Sequence, residues 1–117
     1  MTIRVVERSG VRFVECAAPI ARVDDALNLV SACIERQVHR LFIDSVFLPD
    51  AFFDLRSGVA GEFVQKMQNY HIRLAAVFPS EAEYGERFAE FLREARHGHG
   101  FRAFTNREDA EAWLCSE

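Results

Sequence analysis

Residues 72–79, IRLAAVFP, are a nearly continuous apolar run that stops at Pro79. A short run of this kind predicts a central strand of a parallel sheet, because such strands are covered on both faces and do not alternate with polar residues. Helices are then needed on either side of the sheet. The run therefore indicates a three-layer α/β domain.

Amphipathic segments precede and follow this strand. Before it, Val59, Phe63 and Met67 recur at helical spacing, with Ala60 and Val64 beside them. After it, Ser80 with Glu83 three residues later predicts a capping box at the start of a third helix. The apolar positions of that helix are Tyr84, Phe88, Phe91, Leu92 and Ala95, and Gly98 and Gly100 end it.

The remaining segments complete the order ββαβαβαβα in one domain over residues 1–117, with about five strands and four helices. Ser9-Gly10 predicts a hairpin turn between strands at residues 3–7 and 11–16, which adds an antiparallel edge to a mostly parallel sheet. Other strands are expected at residues 41–44 and 101–104. Asp24 or Asp25 should cap a first helix with the stripe Leu27, Val30 and Ile34, flanked by Ala26 and Cys33, and Asn106 should cap a last helix that buries Ala110, Trp113 and Leu114.

Charge and composition limit the function classes. The chain has 117 residues, a net charge of −4 and a sequence pI of about 5.6. An acidic chain without a basic stripe disfavours broad contact with nucleic acid or with an anionic membrane surface. Because half of the residues are hydrophobic, the core needs no disulfide or metal. We expect no cofactor.

The cysteines and the N-terminus indicate a cytoplasmic protein. Cys16, Cys33 and Cys115 are odd in number, far apart and without a CxxC pair, as expected of reduced thiols. The first ten residues lack the apolar core of a signal peptide, and no apolar run is long enough to span a bilayer. His97-Gly98-His99 has no partner set with zinc-like spacing, so no metal site is predicted.

The segment 49–70, PDAFFDLRSGVAGEFVQKMQNY, carries the candidate binding residues. If Ser57 is the N-cap of the second helix, Gly58 and Gly61 leave its first amides open to a phosphate or to another backbone. Arg56, next to Asp54, is a suitable clamp for a carboxylate or phosphate. Spacings of three and four place further polar residues on one face of the helix. These residues are Glu62, Gln65, Lys66 and Asn69.

Structural interpretations of the same residues stay open. Ser57 is then only a cap, and Asp54 and Arg56 pair with each other. The polar face of the helix is solvated. Glu94 with Arg96, at the end of the third helix, either forms an ion pair or reaches the start of the second helix at one rim of the sheet.

The order of these motifs resembles a catalogued family. Phe52-Phe53-Asp54-Leu55-Arg56, Ala60-Gly61-Glu62, Gln65-Lys66 and Asn69-Tyr70 are similar to the signature of a bacterial domain of unknown function, the family numbered four-one-eight-zero. The likeness covers nearly the whole chain. Two departures are Phe78-Pro79, where the family tends to have Gly-Asp, and the run from Glu94 to Gly98, which lacks the family's Asn. The resemblance implies no activity.

A looser similarity is to anti-sigma-factor antagonist (STAS-type) domains, which share the element order. These domains carry an Asp-Ser-Ser-Gly helix start whose serine can be phosphorylated. Here Leu55 and Arg56 separate Asp54 from Ser57-Gly58, so the spacing differs. The similarity implies a fold and only suggests that Ser57 is a switch.

Three functions remain. The first is a non-enzymatic interaction or regulatory module, whose second helix and preceding loop contact a protein partner or a second copy of the chain, as in a homodimer. The alternative is a small-molecule or anion-binding protein, with enzymatic activity uncertain. Its site would lie at the rim between the second and third helices, with Arg56 as the clamp and Glu62 or Glu94 as acid or base. The third is a toxin-antitoxin, DNA-linked or transcription-associated role in which a partner supplies the DNA contact.

Overall fold

The computed structural model describes residues 2–116, and its elements follow the predicted order. Short 3₁₀ turns fill the loops after β3 and β4, at Ser45–Phe47, Asp50–Phe53, Leu55–Ser57 and Glu81–Tyr84. The strands are β1 Ile3–Arg8, β2 Val11–Cys16, β3 Arg40–Asp44, β4 Arg73–Val77 and β5 Phe101–Phe104. The helices are α1 Asp25–Glu35, α2 Val59–Asn69, α3 Glu86–Ala95 and α4 Arg107–Leu114.

The five strands form one mixed sheet in the order β1-β2-β3-β4-β5. The β1–β2 pair is antiparallel and every other pair is parallel, as predicted. Ser9 and Gly10 join β1 to β2 with φ angles of 53° and 78°. Two consecutive positive φ angles are what a two-residue type I′ hairpin requires.

Helices cover both faces of the sheet. Successive crossovers from β2 to β5 all move in one direction, so right-handedness places α1, α2 and α3 on the same face. Helix α4 packs on the other face. Along β4 the buried residues alternate between the two cores: Leu74 and Ala76 face the three-helix side, whereas Ala75 and Val77 face α4. The three-layer α/β prediction is confirmed.

An aromatic cluster fixes the loop that precedes α2. Phe52, in that loop, packs against Phe63 of α2, Phe78 at the end of β4 and Phe88 of α3. Each of these four rings is about 1% exposed. The ring centroids lie 5.9 to 6.3 Å from that of Phe52, within the range of favourable aromatic pairs. The loop is thereby anchored to three elements of the core.

The predicted buried stripe of α1 is wrong at two of its three positions. Leu27 is 42% exposed and Ile34 is 51% exposed. A second stripe with the same helical spacing faces the sheet instead, so periodicity alone could not choose between the two. Its members are Ala26, Leu29, Val30 and Cys33.

The helix caps match the predictions unevenly. Asn106 caps α4 as predicted, since its Oδ1 accepts from the amide of Asp109 at 2.8 Å. The capping box at Ser80 is wrong: its side chain makes no capping bond, and a 3₁₀ turn delays α3 until after Gly85. Before α1, the side chain of Asp25 accepts from loop amides, and Asp24 makes no side-chain cap.

A nearly buried carboxylate joins α4 to β2. Glu15 is 7% exposed, and Arg107 binds both of its oxygens, at 2.6 and 3.2 Å. Hydrogen bonding to Glu15, its strongest influence, raises the pKa of Arg107, which also binds Glu111. The guanidinium lies 4.5 Å from the ring centroid of Phe42. The pair therefore clamps α4 onto the sheet.

Within residues 2–116, every helix is too short or too polar to cross a bilayer.

We expect Arg107→Ala to lower the free energy of unfolding by about 2 kcal/mol, because it leaves Glu15 nearly buried with only a weak contact to Arg4. Arg8→Ala is the matched control: it removes an exposed partner of Glu111 and should cost less than about 1 kcal/mol. Urea unfolding of the two variants measures the difference. Equal losses would contradict the role given to the Glu15 contact.

Candidate functional site

A cleft of about 390 Å³ lies where the loops after β3 and β4 meet. Both loops leave the carboxyl edge of the parallel sheet, which is where α/β domains tend to bind ligands. The strand order does not reverse between β3 and β4, so there is no crevice of the kind found at a reversal. The walls of the cleft are built by the two loops instead. The lining residues are Phe53, Asp54, Leu55, Arg56, Tyr84, Gly85, Glu86, Arg87 and Phe88.

One wall of the cleft is aromatic and flat. The rings of Phe53 and Tyr84 are stacked, with centroids 4.2 Å apart and an angle of 15° between their planes. Both pack on the buried ring of Phe88, at 5.2 and 5.6 Å. Because Phe53 and Tyr84 are only half-buried, this wall offers apolar surface to a ligand.

The other walls carry two cations and two anions. Arg56 and Arg87 are exposed, as are Asp54 and Glu86. The Nε of Arg56 lies 3.7 Å from Oδ1 of Asp54, an exposed and loose ion pair. That same oxygen also accepts from the Arg56 amide at 3.2 Å. Arg87 forms no side-chain hydrogen bond or ion pair with any residue between 2 and 116.

The start of α3 opens into the cleft without a side-chain cap. Gly85 precedes the helix with a φ of 90°, a conformation that disfavours other residues. The first intrahelical bond runs from the amide of Ala89 to the carbonyl of Gly85, at 3.0 Å. The amides of Glu86, Arg87 and Phe88 are thus left at the positive end of the helix dipole.

Ser57 is not the N-cap of α2, contrary to the prediction. Gly58 occupies that position, with a φ of 78°. The Ser57 hydroxyl donates to the carbonyl of Ala51 at 2.6 Å and accepts from the amide of Val59 at 3.2 Å. The Ser57 side chain therefore closes the turn before α2. Ser57 lies one residue before the N-cap rather than at it.

The polar residues of α2 pair with each other. Lys66 Nζ lies 3.8 Å from Oε1 of Glu62. Gln65 donates to the side chain of Asn69 at 2.8 Å. None of the four lines the cleft, so the structure separates this face from Asp54 and Arg56.

Glu94 does not line the cleft. It belongs to the last turn of α3, next to the amino end of β5, whereas the cleft lies at the carboxyl edge. Arg96 pairs with Glu81 rather than with Glu94. Glu94 is thus not among the residues that line the cleft, and its place at a rim shared with the start of α2 stays a prediction.

A family model described as Domain of unknown function (DUF4180) matches residues 8–114. The chain belongs to this family. The resemblance to it in the sequence is thereby confirmed. No curated protein and no solved structure matches the chain. The similarity to STAS-type domains stays an analogy of element order.

The sequence missed the second half of the DUF4180 cleft. Tyr84 and Gly85 end the loop after β4, and Glu86 and Arg87 begin α3, whereas the sequence pattern predicts a helix that already runs through all four. Their signal was Gly85 itself, since a glycine inside a proposed first turn favours a break. The loops after adjacent parallel strands also meet at one edge, which points to this pairing.

The cleft wall carries two carboxylates, Asp54 and Glu86, and the phenol of Tyr84, but its lining has no serine, cysteine or histidine. Elsewhere in the DUF4180 domain, Cys33 is buried, and burial raises the pKa of its thiol to about 11. Among residues 2–116 no group of three His, Cys, Asp or Glu side chains converges as metal ligands.

The two glycines of the α2 start should respond in opposite ways to alanine. A Cβ at Gly61 meets nothing within 4 Å, so Gly61→Ala should stabilise the DUF4180 domain by about 0.5–1 kcal/mol through helix propensity. Gly58→Ala should cost about 1 kcal/mol, because its φ is positive. Thermal unfolding measures both. Two changes of the same sign would contradict this account of the helix start.

Proposed function

We propose that this DUF4180 domain binds a small anionic ligand with a flat apolar part in the cleft between the loop before α2 and the start of α3. The observation that carries this function is the pairing of Arg56 and Arg87 with the stacked wall of Phe53 and Tyr84 in one cleft. This proposal corresponds to the small-molecule or anion-binding alternative given by the sequence. Its site includes the start of α3 in place of Glu62 and Glu94.

The charges of the cleft specify the ligand further. A guanidinium binds a carboxylate or phosphate through paired hydrogen bonds, and free helix amides favour the same groups. Asp54 and Glu86 offset the two arginines, so a densely charged polyanion is disfavoured. A ligand with one anionic group, an aromatic ring and a hydrogen-bond donor for a carboxylate fits all walls.

Binding is favoured over catalysis. Nucleophilic and general-base mechanisms most often use serine, cysteine or histidine, none of which lines the cleft. The carboxylates of Asp54 and Glu86 are exposed and solvated, so they are suited to accept a hydrogen bond from a donor group of the ligand. We therefore propose a ligand-responsive module rather than an enzyme.

Phenylalanine, benzoate and inorganic phosphate are suitable probes, titrated while backbone amide shifts are recorded by NMR. We expect phenylalanine to bind most tightly and to shift the amides of residues 84–88. Arg56→Gln and Arg87→Gln should each weaken its binding about tenfold through loss of a charge-assisted hydrogen bond. Arg93→Gln, at an exposed position near the end of α3, is the matched control.

Shifts spread evenly over the surface, or an equal loss of affinity in the control, would contradict a site in the cleft. A response to phosphate as strong as that to phenylalanine would contradict the role of the aromatic wall.

Protein interaction is the second candidate, and the exposed apolar residues favour it. Right-handed crossovers put α2 beside α1, and Leu27 and Ile34 lie on the flank of α1 that turns toward α2. Tyr70, at the end of α2, is 46% exposed. Lys66 adds polar surface on α2. We propose this α1–α2 surface as the contact for a second copy of the chain or for another protein.

A cytoplasmic location belongs to the same proposal. The free thiols of Cys16, Cys33 and Cys115 favour a reducing compartment.

Ile34→Glu should abolish self-association, because a charge replaces apolar surface at the centre of the α1–α2 surface. Sedimentation velocity across a range of protein concentrations measures this, with circular dichroism as a check on folding. Val5→Glu is the control, since Val5 is 46% exposed, close to the 51% of Ile34, but lies on the edge strand β1. A purely monomeric wild-type chain would rule out the homodimer.

A further inference from the structure

Three arginines meet at the amino edge of the sheet, on the face that α4 covers. Arg40 of β3 and Arg73 of β4 are register partners, so their strands hold them about 4.8 Å apart. Arg102 of β5 is paired with Ala75, two residues beyond Arg73, and therefore faces the same side. The positive charges of Arg40 and Arg102 both act on Arg73, and we name these three residues the arginine cluster.

Trp113 of α4 fixes two members of the cluster. The guanidinium carbon of Arg73 lies 4.4 Å from the indole centroid, and that of Arg102 lies 5.1 Å from it. Stacking on an indole positions a guanidinium while leaving its N–H groups free for other acceptors. The cluster is thus held in place before any ligand arrives.

Backbone carbonyls use only part of the donor capacity. Arg40 Nε donates to the carbonyl of Leu114 at 2.7 Å, and Arg73 Nη1 donates to that of Ser116 at 2.7 Å. Arg102 Nε donates to the carbonyl of Gly98 at 2.9 Å. Each guanidinium has five N–H donors, so most of them, including both terminal nitrogens of Arg40 and Arg102, have no acceptor among residues 2–116.

Carboxylates of residues 2–116 do not oppose the charge at this edge. In the described part of the chain no carboxylate lies within 4 Å of any guanidinium of the arginine cluster. The end of a helix supplies only about half a negative charge. Burial, followed by the positive charges of Arg40 and Arg102, lowers the pKa of Arg73. Within the described residues, the three guanidiniums are thus opposed only by the partial negative charge at the end of α4. This imbalance favours the binding of an anion with more than one negative charge.

We infer that the arginine cluster is a binding site for a phosphate-type oxyanion carrying two or more negative charges. Because the indole of Trp113 is already stacked with guanidiniums, the ligand's recognised group is the oxyanion itself rather than an aromatic ring. This site lies at the opposite edge of the sheet from the cleft and prefers the densely charged ligand that the cleft disfavours.

Trp113 is the one tryptophan of the chain, so its emission reports on the cluster directly. Titration with pyrophosphate should give a saturable change in emission, and inorganic phosphate should bind more weakly. Potassium chloride at matched ionic strength separates binding from screening. Arg40→Gln and Arg102→Gln should each raise the pyrophosphate Kd about tenfold. Arg93→Gln carries the same charge change on α3 and should leave Kd unchanged.

Arg56→Gln, in the cleft, should also leave the Trp113 titration unchanged, which keeps the two sites distinguishable. A linear response equal to that of potassium chloride would overturn the site. So would an equal loss of affinity in Arg93→Gln. Circular dichroism shows whether each variant is folded, and amide shifts at residues 101–104 provide a second readout of binding.

Discussion

The burial of β4 on both faces organises the molecule. Residues Leu74, Ala75 and Ala76 are at most 1% exposed, and their side chains alternate between the two cores. A strand buried in this way requires a layer of helices on each side. Right-handed crossovers place their helices on a single face of the sheet as long as the chain moves in one direction from strand to strand. They therefore supply only one of the two helical layers. Helix α4 must therefore return over the opposite face, where Arg107 and Glu15 hold it.

The end of β4 also produces the cleft. Phe78 is buried directly after the strand, and Pro79 prevents the strand from continuing. Phe52 and Phe88 pack on Phe78, which draws the loop before α2 and the start of α3 toward the same point. The cleft thus lies over the edge of the hydrophobic core. Its aromatic wall, Phe53 on Tyr84, is an outward extension of that core.

Elements with a strong local signal were predicted to within about a residue or two, as at β4, β5 and the Asn106 cap. The stripe of α1 failed because two stripes have the same period, and only the sheet decides which one is buried. Glu94 was assigned to a rim of the sheet that it would share with the start of α2, but it does not line the cleft, because it belongs to the last turn of α3 and the cleft lies at the first turn. The residue types of Asp54 and Arg56 were enough to predict them as candidate site residues. Arg87 could not be predicted in the same way, because its place in the cleft depends on how two loops meet in space.

Net charge predicts less than the arrangement of charges does. A value of −4 argued against polyanions on average. The parallel sheet sorts residues by their position along a strand, however, so Arg40 and Arg73, each the first residue of its strand, must lie side by side. The acidic residues of the cleft, Asp54 in a loop and Glu86 at the start of α3, lie at the other edge and cannot neutralise them across the length of a strand. An acidic domain of this topology therefore presents a locally cationic edge, and we propose that its two edges bind different anions.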